Sequence, residues 1–137
     1  MIGLDASLTG LDTNVLARYV VRDDPAQYEA AAAVIATLTP DSPGLITHVS
    51  LAELSWTLAR TYKMSKEARL AIVRALIQAD EIEFEDGEGV VRALALAEDG
   101  ADFADALIAT TMELFGADRV VTFDKAAAKH LGWELLV

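Results

Sequence analysis

Short β-rich runs alternate with longer helical segments along the chain, and this alternation limits the possible folds more than any other feature. The predicted strands are residues 10–12 with some preceding residues, 45–47, 82–85, 119–122 and 134–136. The predicted helices are residues 15–21, 25–38, 51–62, 65–79, 89–98, 103–115 and 125–130. Strands that alternate with helices favour a parallel sheet covered by helices on both faces. The sequence therefore predicts an α/β protein of three layers, α/β/α, around a mostly parallel sheet of about five strands.

The length and composition predict one domain. The chain has 137 residues, of which 53% are hydrophobic, and this is enough for a single core. Pro40, Pro43 and Gly44 interrupt the pattern once, over a stretch short enough for a loop. We expect a single domain over residues 1–137, with residues 1–10 as a candidate N-terminal extension.

Several classes of site are excluded by residue content. The chain has no cysteine, which removes disulfides, thiolate metal sites and cysteine nucleophiles, and its two histidines leave little for zinc. Side-chain oxygen atoms are therefore the main candidates for metal ligands. No apolar run approaches the roughly 18 residues that span a bilayer, and residues 1–10 lack the features of a secretory signal. We expect a soluble cytoplasmic protein.

The charge balance is strongly acidic. Eleven basic against 22 acidic residues give a net charge of 11 − 22 = −11, which argues against broad attraction to a phosphate backbone and fits a basic protein partner. One local basic band runs through the middle of the chain, at Arg60, Lys63, Lys66, Arg69 and Arg74. This band is either a solvated helix face or a local contact for nucleic acid.

Four carboxylates lie within or beside segments that are otherwise almost wholly apolar: Asp12, Glu53, Asp105 and Asp124. A buried carboxylate is costly unless a cation or hydrogen bonds satisfy it. Asp12 and Asp124 follow predicted strands, where parallel sheets bind ligands, whereas Glu53 and Asp105 fall in the first turns of predicted helices. The set predicts one acidic site for a hard divalent cation, Mg²⁺ or Mn²⁺.

Three of these carboxylates also have a purely structural interpretation. Ser50 and Glu53 match the S-x-x-E capping box, in which Glu53 would reach back to a backbone amide. Asp102 is best placed to cap the helix that contains Asp105, which leaves Asp105 either a first-turn charge or a ligand. Asp124 could cap the helix that follows it.

Three further polar residues accompany the carboxylates. Thr13 and Asn14 follow Asp12, and either could cap the next helix in an ordinary strand-to-helix turn. In a functional site they would orient a water molecule or Asp12 itself. Thr122 could act similarly, or it could be an ordinary β-branched strand residue.

Four motifs occur in a fixed order: LDTNVLARYVVRDDPAQ, VSLAEL, DFADALIA and VVTFD. From about Leu11 to the C-terminus the chain resembles the PIN-domain ribonucleases and, within them, the VapC-type toxins of bacterial toxin–antitoxin pairs. The resemblance implies that Asp12, Glu53, Asp105 and Asp124 are the family's four acidic residues. Thr13, Asn14 and Thr122 match its accompanying polar positions.

The resemblance also implies an activity and partners. These are Mg²⁺- or Mn²⁺-dependent hydrolysis of RNA phosphodiester bonds, neutralisation by a cognate VapB-type antitoxin, and a homodimer formed through helices. One departure is the ten residues before Leu11, which begin MIGLD and make Asp5 a rival to Asp12. The DTN that follows Asp12 favours Asp12.

Three alternatives remain open. A housekeeping PIN nuclease of RNA maturation would use the same residues. An aspartyl-nucleophile phosphatase fits poorly, because Asn14 stands where such enzymes carry a second aspartate. A non-catalytic interaction module would keep the fold without the chemistry.

Overall fold

The structure is a computed structural model that describes residues 7–137. The rival residue Asp5 lies outside these residues. The chain forms two compact units: an N-terminal unit that ends at Glu85, and a C-terminal unit, Asp86–Val137.

The N-terminal unit contains a three-stranded parallel sheet in the order β1 (Thr9–Gly10), β2 (Gly44–Ile46), β3 (Ile82–Phe84). Its register pairs Gly10 with Leu45, and Leu45 with Glu83. The four helices of this unit are α1 (Thr13–Val21), α2 (Pro25–Ala36), α3 (His48–Arg60) and α4 (Lys66–Gln78). The carboxyl end of β1 therefore leads through Leu11 and Asp12 directly into α1.

Local chemistry explains where these helices begin. The side chains of Asp24 and Ser65 accept backbone hydrogen bonds at the starts of α2 and α4, and Pro25 occupies the first position of α2, as the sequence predicts. Residues at helical spacing on α3 form one buried face: Leu51, Leu54, Ser55 and Leu58. This face and the buried Leu16 of α1 contribute to the core of the unit.

The C-terminal unit contains α5 (Gly87–Glu98), α6 (Phe103–Leu114), β4 (Val121–Thr122), α7 (Lys125–Leu131) and β5 (Glu134–Leu135). The two strands pair in parallel, with Val121 opposite Glu134. Alanine residues on α5 and α6 are buried, which lets these helices pack closely. Gly100 joins them with φ +122°, a conformation that a side chain rarely adopts, and the His130 ring lies where a Cβ would be.

The α/β class with parallel strands is confirmed, and all the predicted helices and strands occur within the described residues. The strands are divided between a sheet of three and a sheet of two, a division that the sequence pattern did not predict. Thr9 and Gly10, placed in the candidate N-terminal extension, belong to β1. The single-domain assignment stays a prediction. Within residues 7–137 no helix is long and apolar enough to cross a membrane.

Candidate metal-binding carboxylates

Asp12 lies at the junction of β1 and α1 in the N-terminal unit. Its backbone is extended, and its Oδ1 accepts the Val15 N–H at 3.1 Å, so Asp12 itself caps α1. The expectation that Thr13 or Asn14 caps this helix is wrong, because both lie inside α1. The Asp12 side chain is exposed to solvent and is therefore accessible to a cation.

Thr13 connects the start of α1 to the first turn of α3. Its hydroxyl donates to the Ser50 carbonyl at 3.4 Å, across 37 residues of sequence. Ser50 precedes Glu53 by one helical turn. Thr13 therefore connects the segment that carries Asp12 to the turn before Glu53, and its role beside a metal ligand stays a prediction.

Glu53 is not part of a capping box. The residue that caps α3 is Thr47, whose hydroxyl accepts the Ser50 N–H at 3.2 Å, and α3 begins at His48. Glu53 consequently lies in the second turn of α3 rather than the first, and its side chain is exposed. The capping interpretation of Ser50 and Glu53 is thus wrong, and the role of Glu53 as a metal ligand stays a prediction.

In the C-terminal unit, Asp102 and Asp105 lie one turn apart at the start of α6. The Asp102 carboxylate accepts the Asp105 N–H at 3.0 Å and caps the helix, as predicted. Asp105 remains in the first turn with its side chain half-buried. Burial raises the pKa of the Asp105 carboxyl above its usual value, and the negative charges of Asp102 and Asp124 raise it further.

Asp124 follows β4 and caps α7, as its structural interpretation proposed. Its Oδ1 accepts the N–H groups of Ala126 and Ala127 at 2.8 and 3.1 Å. The Thr122 hydroxyl in turn accepts the Asp124 N–H at 3.0 Å. Thr122 is therefore more than a strand residue, because it fixes the backbone from which the Asp124 carboxylate projects.

The chemistry of these residues fits a hard divalent cation. Every candidate ligand offers carboxylate oxygens, which Mg²⁺ and Mn²⁺ prefer. Burial raises the pKa of Asp105, and a positive charge beside it would relieve the further contribution of Asp102 and Asp124. Among residues 7–137, however, no group of three or more histidine or acidic side chains is arranged to hold an ion. A site composed of all four carboxylates stays a prediction.

A cleft of about 550 Å³ lies in the N-terminal unit, between α1 and α2, and the sequence pattern did not predict it. Asp12 and Asn14 line it together, so the structure brings these two predicted residues to one surface. Small side chains of α2 such as Ala30 and Ala31 line its wall. The run of alanines in this helix was the only available signal for such a space.

Arg18 also lines this cleft and is held in place by a hydrogen-bonded network. Its guanidinium donates to Asp23 at 3.0 Å and to the Tyr62 hydroxyl at 3.4 Å, and that hydroxyl donates to Asp23 at 3.1 Å. Partial burial would raise the pKa of Asp23, but the hydrogen bonds from Tyr62 and Arg18 outweigh it and the pKa is lowered. Arg18 is thus a fixed cation on the surface shared by Asp12.

The family model of the PIN domain matches residues 11–132 of the chain. The chain belongs to the PIN-domain family. The match begins one residue before Asp12 and includes the other three candidate carboxylates, so all four lie within the PIN domain. Membership indicates a nuclease-type function and hydrolysis that depends on a divalent metal. Comparison with curated proteins and with solved structures finds no match.

Proposed function

We propose that this PIN domain is a VapC-type toxin, an endoribonuclease that hydrolyses RNA phosphodiester bonds and is neutralised by a cognate VapB-type antitoxin. The observation that carries the proposal is the PIN-domain match over residues 11–132, which contains all four candidate carboxylates. Burial raises the pKa of the Asp105 carboxyl and the charges of Asp102 and Asp124 raise it further, which supports a site that a cation would complete. Asp105 is not the cap of α6, since Asp102 fills that position.

The proposed ligands are Asp12, Glu53, Asp105 and Asp124, which would hold Mg²⁺ or Mn²⁺. When bound, the metal would supply an activated water and stabilise charge on the phosphoryl oxygens. Thr13 holds the start of α1 against α3, and Thr122 holds the backbone of Asp124. Asn14 adds an amide beside Asp12 that can orient a water molecule or a phosphate oxygen.

Hydrolysis by water determines the products. The ribose 2′-hydroxyl takes no part in the attack, so cleavage would leave a 3′-hydroxyl and a 5′-phosphate. This distinguishes the proposed reaction from that of metal-independent ribonucleases, which form a 2′,3′-cyclic phosphate. Single-stranded or loop RNA is the expected substrate class, because its bases are available for recognition.

The proposed partners are an antitoxin, a second copy of the chain and RNA, in the cytoplasm. The net charge of −11 favours a basic segment of an antitoxin. For the homodimer, α6 offers Ile108, Met112 and Phe115, which follow one another at i, i+4 and i+7 and remain 45%, 39% and 83% exposed. Exposed apolar side chains at this spacing are typical of a helix that packs against a partner.

A catalytically silent interaction module is the second candidate. It is favoured by the lack, within residues 7–137, of any group of three or more side chains arranged for a metal ion. The two candidates differ in metal binding, which can be measured without knowledge of the RNA substrate. A housekeeping PIN nuclease would share the metal site and differ in its gene neighbourhood.

The test is calorimetric titration of the purified protein with Mn²⁺, alongside Asp12→Asn and Asp105→Asn variants whose folding is checked by circular dichroism. Asp118→Asn is a matched control, since Asp118 is an exposed aspartate outside the proposed site. We expect binding by the wild type and by the control, and loss in both site variants. No binding by the wild type would favour the interaction module, and undiminished binding by the variants would exclude those residues as ligands.

A further inference from the structure

One face of α3 is open to solvent on both sides of Glu53. Val49, Glu53, Trp56 and Arg60 follow one another at i, i+4, i+7 and i+11, which places them in one line along a helix. All four are exposed, and Val49 and Trp56 retain 67% and 48% of their accessible surface. The opposite face of the helix is the buried one. We call this line of four residues the α3 strip.

Within the α3 strip, an aromatic ring and a cation are paired. The Arg60 guanidinium lies over the Trp56 ring, 5.5 Å from its centroid. This cation–π contact holds the guanidinium one turn beyond Trp56 while the ring stays half-exposed. Trp56 is one turn from Glu53 and Arg60 is two turns from it, about 5 and 10 Å along the helix axis.

The chain segment that follows Glu53 contains Trp56 and Arg60 of the α3 strip and is basic, although the chain as a whole is acidic. Residues 54–79 contain five basic residues and one acidic residue, a net charge of 5 − 1 = +4, whereas the rest of the chain carries −11 − 4 = −15. A polyanion is therefore attracted to this segment in preference to the rest of the chain. A second protein copy would fit less well, because a dry interface would bury Glu53 and Arg60 at a large desolvation cost.

We propose that Trp56 and Arg60 form a stacking site for an unpaired base of the RNA substrate, next to the phosphate that is cleaved beside Glu53. The proposal rests on the proposed function. It adds the binding site of one unpaired base and names the two residues that would hold that base. Unstacked bases bind to aromatic faces and to Arg planes, and every base has a face to offer. Arg60 also supplies a positive charge for the adjoining phosphate.

The test measures RNA binding separately from metal binding. The probe is a fluorescein-labelled, 12-nucleotide single-stranded RNA pool of random sequence, followed by anisotropy in Ca²⁺, with gel electrophoresis to confirm that the RNA stays intact. The variants are Trp56→Leu, Trp56→Phe and Arg60→Gln. Matched controls are Trp133→Leu and Arg92→Gln, which make the same changes at the other tryptophan and at an exposed arginine, both in the C-terminal unit.

We expect Trp56→Leu to raise the Kd for the RNA pool about tenfold, the loss typical of one stacked base. Trp56→Phe keeps an aromatic face and should stay within about threefold of the wild type, and both controls should bind as the wild type does. In a Trp133→Phe background Trp56 is the sole tryptophan. Its fluorescence should then be quenched as the RNA binds, which a merely structural role would not cause.

Three outcomes would overturn the proposal. Trp56→Leu could bind the RNA pool within twofold of the wild type, or the Trp56 fluorescence could stay unchanged at saturation. Alternatively, Trp56→Leu could convert a dimer to a monomer in sedimentation while leaving RNA affinity intact, which would make the α3 strip an interface between copies. If the wild type still binds Mn²⁺ and cleaves RNA in these cases, only the stacking site is lost. A wild type that binds neither Mn²⁺ nor RNA would remove the proposed function as well.

Discussion

The Ser50 N–H donates to the hydroxyl of Thr47 at 3.2 Å, and this bond makes Thr47 the cap of α3. Ser50 then lies inside the helix. Glu53, three residues later, has no capping task and is exposed on the second turn. The S-x-x-E sequence therefore does not form a capping box here. Glu53 makes no capping bond, and its carboxylate is exposed to solvent.

The first prediction separates the roles of Thr47 and Glu53. Thr47→Ala should lower the free energy of unfolding by about 1 kcal/mol, because it removes a helix cap, and should leave Mn²⁺ binding intact. Glu53→Gln should leave stability nearly unchanged and weaken Mn²⁺ binding. Urea unfolding and calorimetry measure the two effects. A Glu53→Gln protein as destabilised as Thr47→Ala would show that Glu53 has a structural role instead.

The second prediction concerns the two functions of Asp12. Asparagine caps a helix about as well as aspartate, so Asp12→Asn should keep the wild-type stability while abolishing RNA cleavage. Asp12→Ala removes the acceptor for the Val15 N–H and should cost about 1 kcal/mol in addition. Denaturant midpoints and a cleavage assay on the same preparations distinguish them. Metal-dependent cleavage by a folded Asp12→Asn protein would contradict the assignment.

The third prediction follows from the raised pKa of Asp105. A group whose pKa is higher in the folded than in the unfolded state stabilises the fold below its unfolded pKa, and this stabilisation is lost as pH rises through the folded pKa. In metal-free protein at neutral pH, ionised Asp105 is therefore destabilising. Asp105→Asn should be more stable than the wild type in EDTA at pH 7, and the difference should shrink as pH falls toward 4.

Adding metal should reverse that order. Mn²⁺ stabilises a protein in proportion to its binding, so thermal unfolding of the wild type should shift upward and that of Asp105→Asn should not. Asp102→Asn is the matched variant, because it keeps the cap of α6 and removes one of the charges that raise the pKa of Asp105. Its Asp105 pKa, measured by NMR, should be lower than in the wild type. An unchanged pKa would show that the Asp102 charge does not raise the pKa of Asp105.

The fourth prediction tests Thr122 as a supporting residue. Thr122→Val keeps the shape of the side chain and removes the oxygen that accepts the Asp124 N–H. Loss of a residue that orients a ligand typically weakens metal binding about 10- to 100-fold, and we expect the lower end here. Thr122→Ser restores the acceptor and should bind Mn²⁺ nearly as the wild type does. Equal affinities of the valine and serine variants would leave Thr122 without this role.

The local elements could be predicted because their signals are local. Asp24 and Ser65 cap their helices through hydrogen bonds to residues three positions later, and Pro25 follows Asp24 at the first helical position. The apolar residues of α3 recur at helical spacing, and they form its buried face. The order and spacing of four motifs were likewise enough to suggest the PIN family, which the family match confirms. The metal site itself stays a prediction, because ligation depends on side chains distant in sequence.

Where the local sequence allowed two structures, the tertiary contacts determined which one formed. Thr47 and Ser50 can both cap a helix, and the Glu85 carboxylate, 37 residues away from His48, accepts the His48 N–H. That bond satisfies one of the first amides of α3 and fixes its start at His48. The pKa of Asp105 is likewise raised by burial and, to a smaller extent, by the charges of Asp102 and of Asp124 in a later element. The sequence by itself determined which residues carry the acidic groups and which segments are helical, since these follow from local chemistry. Folding brings distant residues into contact. These contacts decided which carboxylates cap helices and which have a pKa raised by a neighbouring charge.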